Sequence, residues 1–384
     1  YALDCVEAEL VHVTTFHAKR VAYMSVCTAE QFGVSGEALQ DLAVCALLHD
    51  NALTQYLHEE FRGDSSAAEC LPELPHLGAH CVMGEENISA LPFHTNVENI
   101  ILYHHENADG SGSFGKTWQE IPLGARIIRL CDLLDAFCRA DVFTPDVWER
   151  ANAFLTRVRG RIVDEECADA FLRAFSEQHF CSLGGRGLEE RLWGKQQLDF
   201  AQVKALAKFF AKIVDYKSPF TSTHSLGVAD DAECLARFMG FDEDIAQKMY
   251  LAGALHDIGK VAIGNEILEK PGRLTDSEYA EMKHHAAYTY YVLSEVQDFA
   301  ELRDWAAFHH EHLDGTGYPF GKNESELNTQ ERIMACVDIY QALTENRPYK
   351  AGMSHEKACS ILLDMAEKGW LDRAIVEQVN ACFA

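Results

Sequence analysis

Histidine and aspartate recur in this chain at spacings that packing alone does not require. The stretch FHHEHLDGTGYPFG (308–321) sets His309 beside His310, follows them with Glu311, and runs into a turn rich in Asp, Gly and Pro. Upstream, LAGALHDIGK places His256 and Asp257 at the end of an apolar run, and RIMACVDIYQAL puts Asp338 on what the spacing makes a buried helix face. A buried carboxylate needs a partner charge or a metal ion. Taken singly, His224 or the His256–Asp257 pair reads first as a polar helix end in a bundle; the set as a whole does not. The donors are imidazole and carboxylate with no thiolate, which suits iron, manganese or another mid-row divalent ion better than structural zinc. Six or seven such ligands suffice for two ions, and a two-metal site can activate water and clamp an in-line displacement at phosphorus.

The same arrangement occurs twice. YHHENADGSGSFG (103–115) echoes 308–321, ALLHDNAL (46–53) answers ALHDIGKV (254–261), and LGARIIRLCDLLDAF (123–137) answers NTQERIMACVDIYQAL (328–343). His17, His49, Asp50, His80, His104, His105 and Asp132 stand 205 to 207 residues before His224, His256, Asp257, His285, His309, His310 and Asp338. Seven positions of matching type at nearly constant offset identify a duplicated domain. The boundary is expected in CSLGGRGLEERLWGKQQ (181–197), rich in Gly and charge. The first copy then covers 1–190 and the second 198–384.

The elements that must position these side chains read as helices. VKALAKFFAKIV (203–214), EDIAQKMYLAGALHDIG (243–259) and ERIMACVDIYQAL (331–343) repeat apolar residues at helical spacing, and alternating strand patterns are scarce. An all-α fold of two tandem helical bundle domains is expected. Gly259 is expected to end the helix that carries His256 and Asp257, with these two ligands on consecutive helical positions about 100° apart. Five helices would each deliver a His or Asp to one centre.

Composition narrows the partners. The chain has 384 residues, 48% of them hydrophobic, and a formal net charge of -27. That is a globular composition, and a field of that sign repels nucleic-acid polymers while leaving room for a small phosphate ligand held through bound cations. Thirteen cysteines without a single C-x-x-C pair, most of them in apolar helical runs, predict buried thiols in a reducing compartment. No run reaches membrane-span length and the first residues lack a secretory pattern, so a soluble, cytoplasmic protein without membrane contact is expected.

In order and spacing these motifs resemble the HD superfamily, and HHEHLDGTGYP is similar to the hallmark of its HD-GYP branch; HDIGK and NRPYK match as well. The resemblance spans the second copy. The tandem arrangement with a worn first copy resembles the Vibrio phosphodiesterases that act on 3′,3′-cyclic GMP-AMP. It implies a metal-dependent phosphodiesterase that opens a cyclic dinucleotide messenger, 3′,3′-cyclic GMP-AMP first and cyclic di-GMP second, to the linear 5′-phosphorylated dinucleotide. It implies His224, His256, Asp257, His285, His309, His310 and Asp338 as ligands of two divalent ions, iron or manganese. His285 is preferred to His284 because the family histidine follows Met-Lys by one intervening residue. Asp257 and Lys260 would be catalytic, Lys260, Arg347 and Lys350 would hold phosphate, and Tyr318 would lie near the substrate. A non-catalytic cyclic-dinucleotide sensor and another nucleotide phosphohydrolase of the superfamily are the alternatives.

Three positions depart from the family pattern. Phe220 stands where members with a third metal carry Glu, which limits the expectation to two ions. Gly227 replaces an Arg, and Gln341 replaces an Asp. The first copy keeps its seven ligand-type residues as a vestigial metal site and keeps Arg20. It has Leu53 for the lysine, Gly112-Ser113-Phe114 for GYP, and Asp141 at the offset of Arg347. It is expected to be a regulatory or structural half that packs on the catalytic one, in a chain compatible with a homodimer.

Overall fold

The computed structural model describes residues 16–53, 55–56, 78–138, 146–180, 198–217, 224–268, 270, 272–346 and 351–384. Among these no β-strand forms. Isolated bridges occur, and two of them, Asp109–Thr117 and Asp314–Asn323, sit in the corresponding loops of the two copies. The chain divides into two compact units at residues 197 and 198. No helix among the described residues is long and apolar enough to cross a membrane.

The first unit contains α1 (His17–Glu30), α2 (Glu37–Leu47), α3 (Gly78–Ile88), α4 (Leu123–Cys138), α5 (Val147–Val158) and α6 (Glu165–Ala174). Helix α1 is central: it packs on α2, α4 and α6, and its Val21, Ala22, Met24, Val26 and Ala29 are fully buried. A helix buried on nearly every side is a core helix.

The second unit contains α7 (Phe200–Tyr216), α8 (His224–Phe238), α9 (Glu243–Leu255), α10 (Asp276–Ser294), α11 (Ala300–Ala307), α12 (Thr329–Thr344), α13 (His355–Glu367) and α14 (Arg373–Cys382). Capping boxes start α10, from Thr275 and Glu278, and α12, from Asn328 and Glu331; each satisfies backbone donors that the first helical turn leaves open. Helix α8 crosses α9 at close range because Gly253 has no side chain. A Cβ there would stand 2.6 Å from the Ala229 Cα. That crossing brings His224 and His256 to a ring separation of 5.3 Å.

Gly259 does not end α9. The helix stops at Leu255 with His256 as its C-cap, and a 3₁₀ turn, Ile258–Ala262, follows. A Cβ on Gly259 would lie 2.0 Å from the His285 carbonyl oxygen. The glycine serves close approach of this turn to α10 rather than helix termination. Asp257 accordingly lies beyond the helix, at φ -99° and ψ 8°.

Candidate metal centre

Five segments of the second unit converge. His224 opens α8, His256 caps α9 with Asp257 after it, His285 lies in α10, His309 and His310 follow α11, and Asp338 lies in α12. All but His310 are buried. His224 Nε2 is 3.1 Å from Asp338 Oδ1. His256 Nε2 is 3.2 Å from Asp257 Oδ2 and 3.7 Å from Asp338 Oδ1. His285 Nε2 is 3.4 Å from both Asp257 Oδ1 and His309 Nε2. His310 Nδ1 stands 4.0 Å from Asp338 Oδ2.

Three of these imidazoles are oriented in one way. The Nδ1–H groups of His256, His285 and His309 donate to the carbonyls of Gly253, Met282 and Ala306, at 2.7, 2.7 and 2.6 Å. This fixes the tautomer and aims each Nε2 lone pair inward. The buried Nε2 of His256 makes no hydrogen bond despite its two carboxylate neighbours. Buried polar atoms are normally satisfied, so an inward lone pair left over among carboxylates fits a cation. Donor atoms within 4.8 Å of one another occur in the sets His224–His256–Asp338, His256–Asp257–His309 and His285–His309–His310. The overlap of these sets suits more than one divalent ion.

The electrostatics agree. Burial alone would raise the Asp257 carboxyl, yet His256 and Lys260 hold it well below the usual range. Asp338 is likewise held down, against burial, by His224 and His256. Burial lowers His285, and burial with the charge of His256 takes His309 to about 3. His310 falls well below its ordinary value through burial and His309. His256 is the exception: burial pulls it down, but Asp257 and Asp338 outweigh that and lift it to about 9. His285, His309 and His310, neutral beside ionised Asp257 and Asp338, are in the protonation state that metal ligation requires, and a bound cation would replace the proton that the two carboxylates otherwise favour on His256.

At the rim, the Lys260 ammonium donates to Asp257. Tyr318 is half-buried, with its ring 4.7 Å from that of His310 and 6.3 Å from that of His285. His284 is exposed and 3.2 Å from Glu281. Arg347, Lys350, Phe220 and Asp141 lie outside the described residues.

Two residues matter here that sequence reasoning left unassigned. Glu311 is buried and accepts backbone N–H groups from Phe320, Gly321 and Lys322 at 2.7, 3.1 and 2.9 Å. It ties the loop bearing Tyr318 back onto the ligand pair. Gly317 permits the fold of that loop, since a Cβ there would stand 2.3 Å from the His312 nitrogen. Thr289 is the second. It accepts from Gly259 N–H at 3.0 Å and donates to the His256 carbonyl at 2.8 Å, locking the 3₁₀ turn to α10. The only signal for Glu311 was its recurrence as Glu106, which accepts from Phe114 and Lys116 at 2.9 and 2.7 Å.

The seven corresponding residues of the first unit also gather. Asp50 Oδ1 lies 3.4 Å from both His80 Nε2 and His104 Nε2, and Asp50 Oδ2 lies 3.4 Å from His49 Nε2. His17 contacts Asp135 at 2.7 Å and Asp132 at 3.5 Å, while Arg20 pairs with Asp135 through two hydrogen bonds. Leu53, in the place of Lys260, is buried. In this unit a thiol stands beside the expected imidazoles: Cys81, His80, His104 and His105 have donor atoms within 4.8 Å of one another. Burial would raise the Cys81 thiol, but His104 and His80 bring it down to about 6.

The family described as HD domain matches residues 4–164 and 208–375. A 3′3′-cGAMP-specific phosphodiesterase 1 of Vibrio cholerae is 29% identical over 98% of this chain and 88% of its own length. A 3′3′-cGAMP-specific phosphodiesterase 3 of the same organism is 33% identical over 73% of this chain and 62% of its own. A crystal structure of a cyclic GMP-AMP specific phosphodiesterase from V. cholerae covers 100% of this chain and 96% of that one, with a TM-score of 0.60 at 24% identity, a likeness of fold.

Proposed function

The chain belongs to the HD domain family, in its HD-GYP branch, and from that premise we propose that its second unit is a metal-dependent phosphodiesterase of cyclic dinucleotides. Its preferred substrate is 3′,3′-cyclic GMP-AMP, with cyclic di-GMP second, in line with the specificities of its relatives. The observation that carries the reading is the convergence of five imidazoles and two carboxylates around an inward, unsatisfied lone pair, with a lysine and a tyrosine at the rim.

His224, His256, Asp257, His285, His309, His310 and Asp338 would hold two divalent ions of the iron or manganese type. Such ions, when bound, polarise the phosphoryl oxygens and make water a nucleophile near neutral pH. The protein's own residues do the rest. Asp257, between His256 and His285, sets the geometry of the ligand shell. Lys260, beside Asp257, meets the negative charge that grows on the phosphoryl oxygens. Arg347 and Lys350 carry the phosphate-binding roles that the resemblance gives them. Tyr318, held by the loop that Glu311 fastens, offers a ring face at the mouth of the site to a base or ribose. Water adds through oxygen to phosphorus, the P–O3′ bond breaks, and the proton from water ends on the departing 3′-oxygen. The product is a linear dinucleotide with a 5′-phosphate.

The test is a chromatographic product profile of the purified chain with Mn²⁺ or Fe²⁺, given cyclic GMP-AMP, cyclic di-GMP and cyclic di-AMP side by side. Linear product with multiple turnover supports the reading. Binding of any of the three without cleavage under both metals makes the second unit a sensor.

A further inference from the structure

Two of the substitutions that separate the ligand cluster of the first unit from that of the second bear on what it can bind. Cys81 stands where the second unit has Ala286, directly after the shared histidine, and Arg129 stands where it has Ala335, three residues before the shared aspartate. Cys81 is buried and Arg129 half-buried, and each stands among ligand-type residues.

Arg129 closes one side. Its Nη1 donates to His105 Nδ1 at 3.0 Å, its Nη2 donates to Asn107 Oδ1 at 3.1 Å, and Asp132 is 4.0 Å away. A fixed guanidinium there repels a cation at that position. His17 is also engaged, by Asp135 and Asp132.

The other side has gained a donor. His80 Nε2 and His104 Nε2 each lie 3.4 Å from Asp50 Oδ1, and Cys81 Sγ lies 3.7 Å from His80 Nε2. The edges of a tetrahedron built with zinc–nitrogen, zinc–oxygen and zinc–sulfur bonds are about 3.3 to 3.6 Å. His104 donates its Nδ1–H to the Ile101 carbonyl at 2.6 Å, which leaves Nε2 as the inward acceptor. That Nε2 and Asp50 Oδ1 are fully buried and make no hydrogen bond. A cation seated between these two buried acceptors and the neighbouring thiol would satisfy all three.

We propose that the first unit holds one zinc-type ion through Asp50, His80, Cys81 and His104, a four-donor site with no open position. Four protein donors including a thiolate make a structural site, and they select a softer ion than the imidazole and carboxylate set of the second unit. One chain would then carry two kinds of metal centre, one that holds a fold and one that performs chemistry. The inference is independent of hydrolysis by the second unit, and its failure would leave that reading standing.

The experiment uses the full chain, stripped of metal by a chelator and reloaded with Co²⁺. A thiolate-to-cobalt charge-transfer absorption is expected in the wild type and in Asp257→Ala, and is expected to vanish in Cys81→Ala. The variant should fold, because Ala286 fills the same place in the second unit with no exposure. The exposed Cys234 lies 3.8 Å from Cys382, Sγ to Sγ, so Cys234→Ser serves as the control for a surface thiol pair. Zinc should bind Cys81→Ala at least about 100-fold more weakly than wild type, since loss of an outer-shell partner alone costs up to that. X-ray absorption of the wild-type zinc protein should find one sulfur at about 2.3 Å. No charge-transfer band in wild type, a band that survives Cys81→Ala or disappears with Cys234→Ser, equal zinc affinity in the two proteins, or zinc surrounded by nitrogen and oxygen alone would each overturn the proposal.

Discussion

Gly227 and Gln341 share one space. A Cβ on Gly227 would stand 1.9 Å from Gln341 Nε2 and 2.6 Å from its Cδ. The equivalent residues of the first unit, Arg20 and Asp135, fill that space with a bidentate ion pair at 2.6 and 2.8 Å, and Asp135 also takes His17 Nδ1. Two of the three departures from the family pattern, Gly227 and Gln341, are thus one change made at two places. Among the described residues, His224 of the second unit's cluster has no such carboxylate bonded to its Nδ1; Glu345 Oε2 lies 3.8 Å from it.

The coupling can be measured. Gly227→Arg alone forces Gln341 aside and should destabilise the protein by about 1–3 kcal/mol, the usual cost of overpacking. Adding Gln341→Asp should restore about 1 kcal/mol or more of that in a double-mutant cycle read by urea unfolding. Strict additivity would show that the two positions do not interact.

Lys260 faces two roles, since its ammonium lies against Asp257 while the resemblance gives it to phosphate. Removing it takes a cation away from the ligand shell, which leaves Asp257 no worse a metal ligand. Lys260→Ala should therefore retain the metal content of wild type and lose about 100-fold in turnover, the scale for one stabilising donor. Elemental analysis with a parallel activity assay checks this. Loss of metal in step with activity would make Lys260 a support of the ligand shell instead.

The sequence carried a great deal of this because a duplicated site writes its ligands twice. His49 with Asp50 and His256 with Asp257 show their importance by recurrence alone, and the helical spacing around Asp338 sufficed to bury it. What escaped depends on contacts between segments distant in sequence. Gly259 looked like a helix end because a glycine after an apolar run is usually one; its actual constraint is the His285 carbonyl, 2.0 Å from where its side chain would begin. Cys81 looked like one more buried thiol, since its place among donor atoms is set by how α3 meets the residues around His104. Glu311 was visible as a letter in a motif, but its three backbone partners lie nine to eleven residues downstream, in a loop whose path spacing does not give.

Asp231 on α8 gives a pH dependence away from the metal ligands. Burial, with Asp230 adding repulsion, raises its carboxyl to about 6, against about 3.9 in an unfolded chain. The folded state binds this proton more tightly, so the contribution to stability is complete below about pH 4 and is lost as pH climbs through about 6. Asp231→Asn removes the titration. The variant should melt higher than wild type at about pH 8 and close to it at about pH 3.5, by differential scanning calorimetry with matched salt. A variant that melts lower at the alkaline end would show that the carboxylate is better solvated or better paired than its surroundings suggest.

The division of labour between the units rests on what each cluster has at its rim. The second unit has Lys260 and Tyr318 beside its ligands. The first has Leu53 and Ser113 at those places, and Arg129 reaches into its cluster. A phosphate brought to the first unit would meet a buried leucine where the second unit offers an ammonium, and charge growing on its oxygens would go unanswered there. His256→Ala with Asp257→Ala should accordingly abolish product formation, a loss of at least about 100-fold, while the folded state persists. His49→Ala with Asp50→Ala should still produce linear dinucleotide, at an altered rate, and should melt at a lower temperature because a buried ligand set has lost its centre. Product chromatography and thermal unfolding on the two double variants decide the matter. Activity in the first pair and none in the second would exchange the roles of the units, and about half the activity in each would make both of them catalytic.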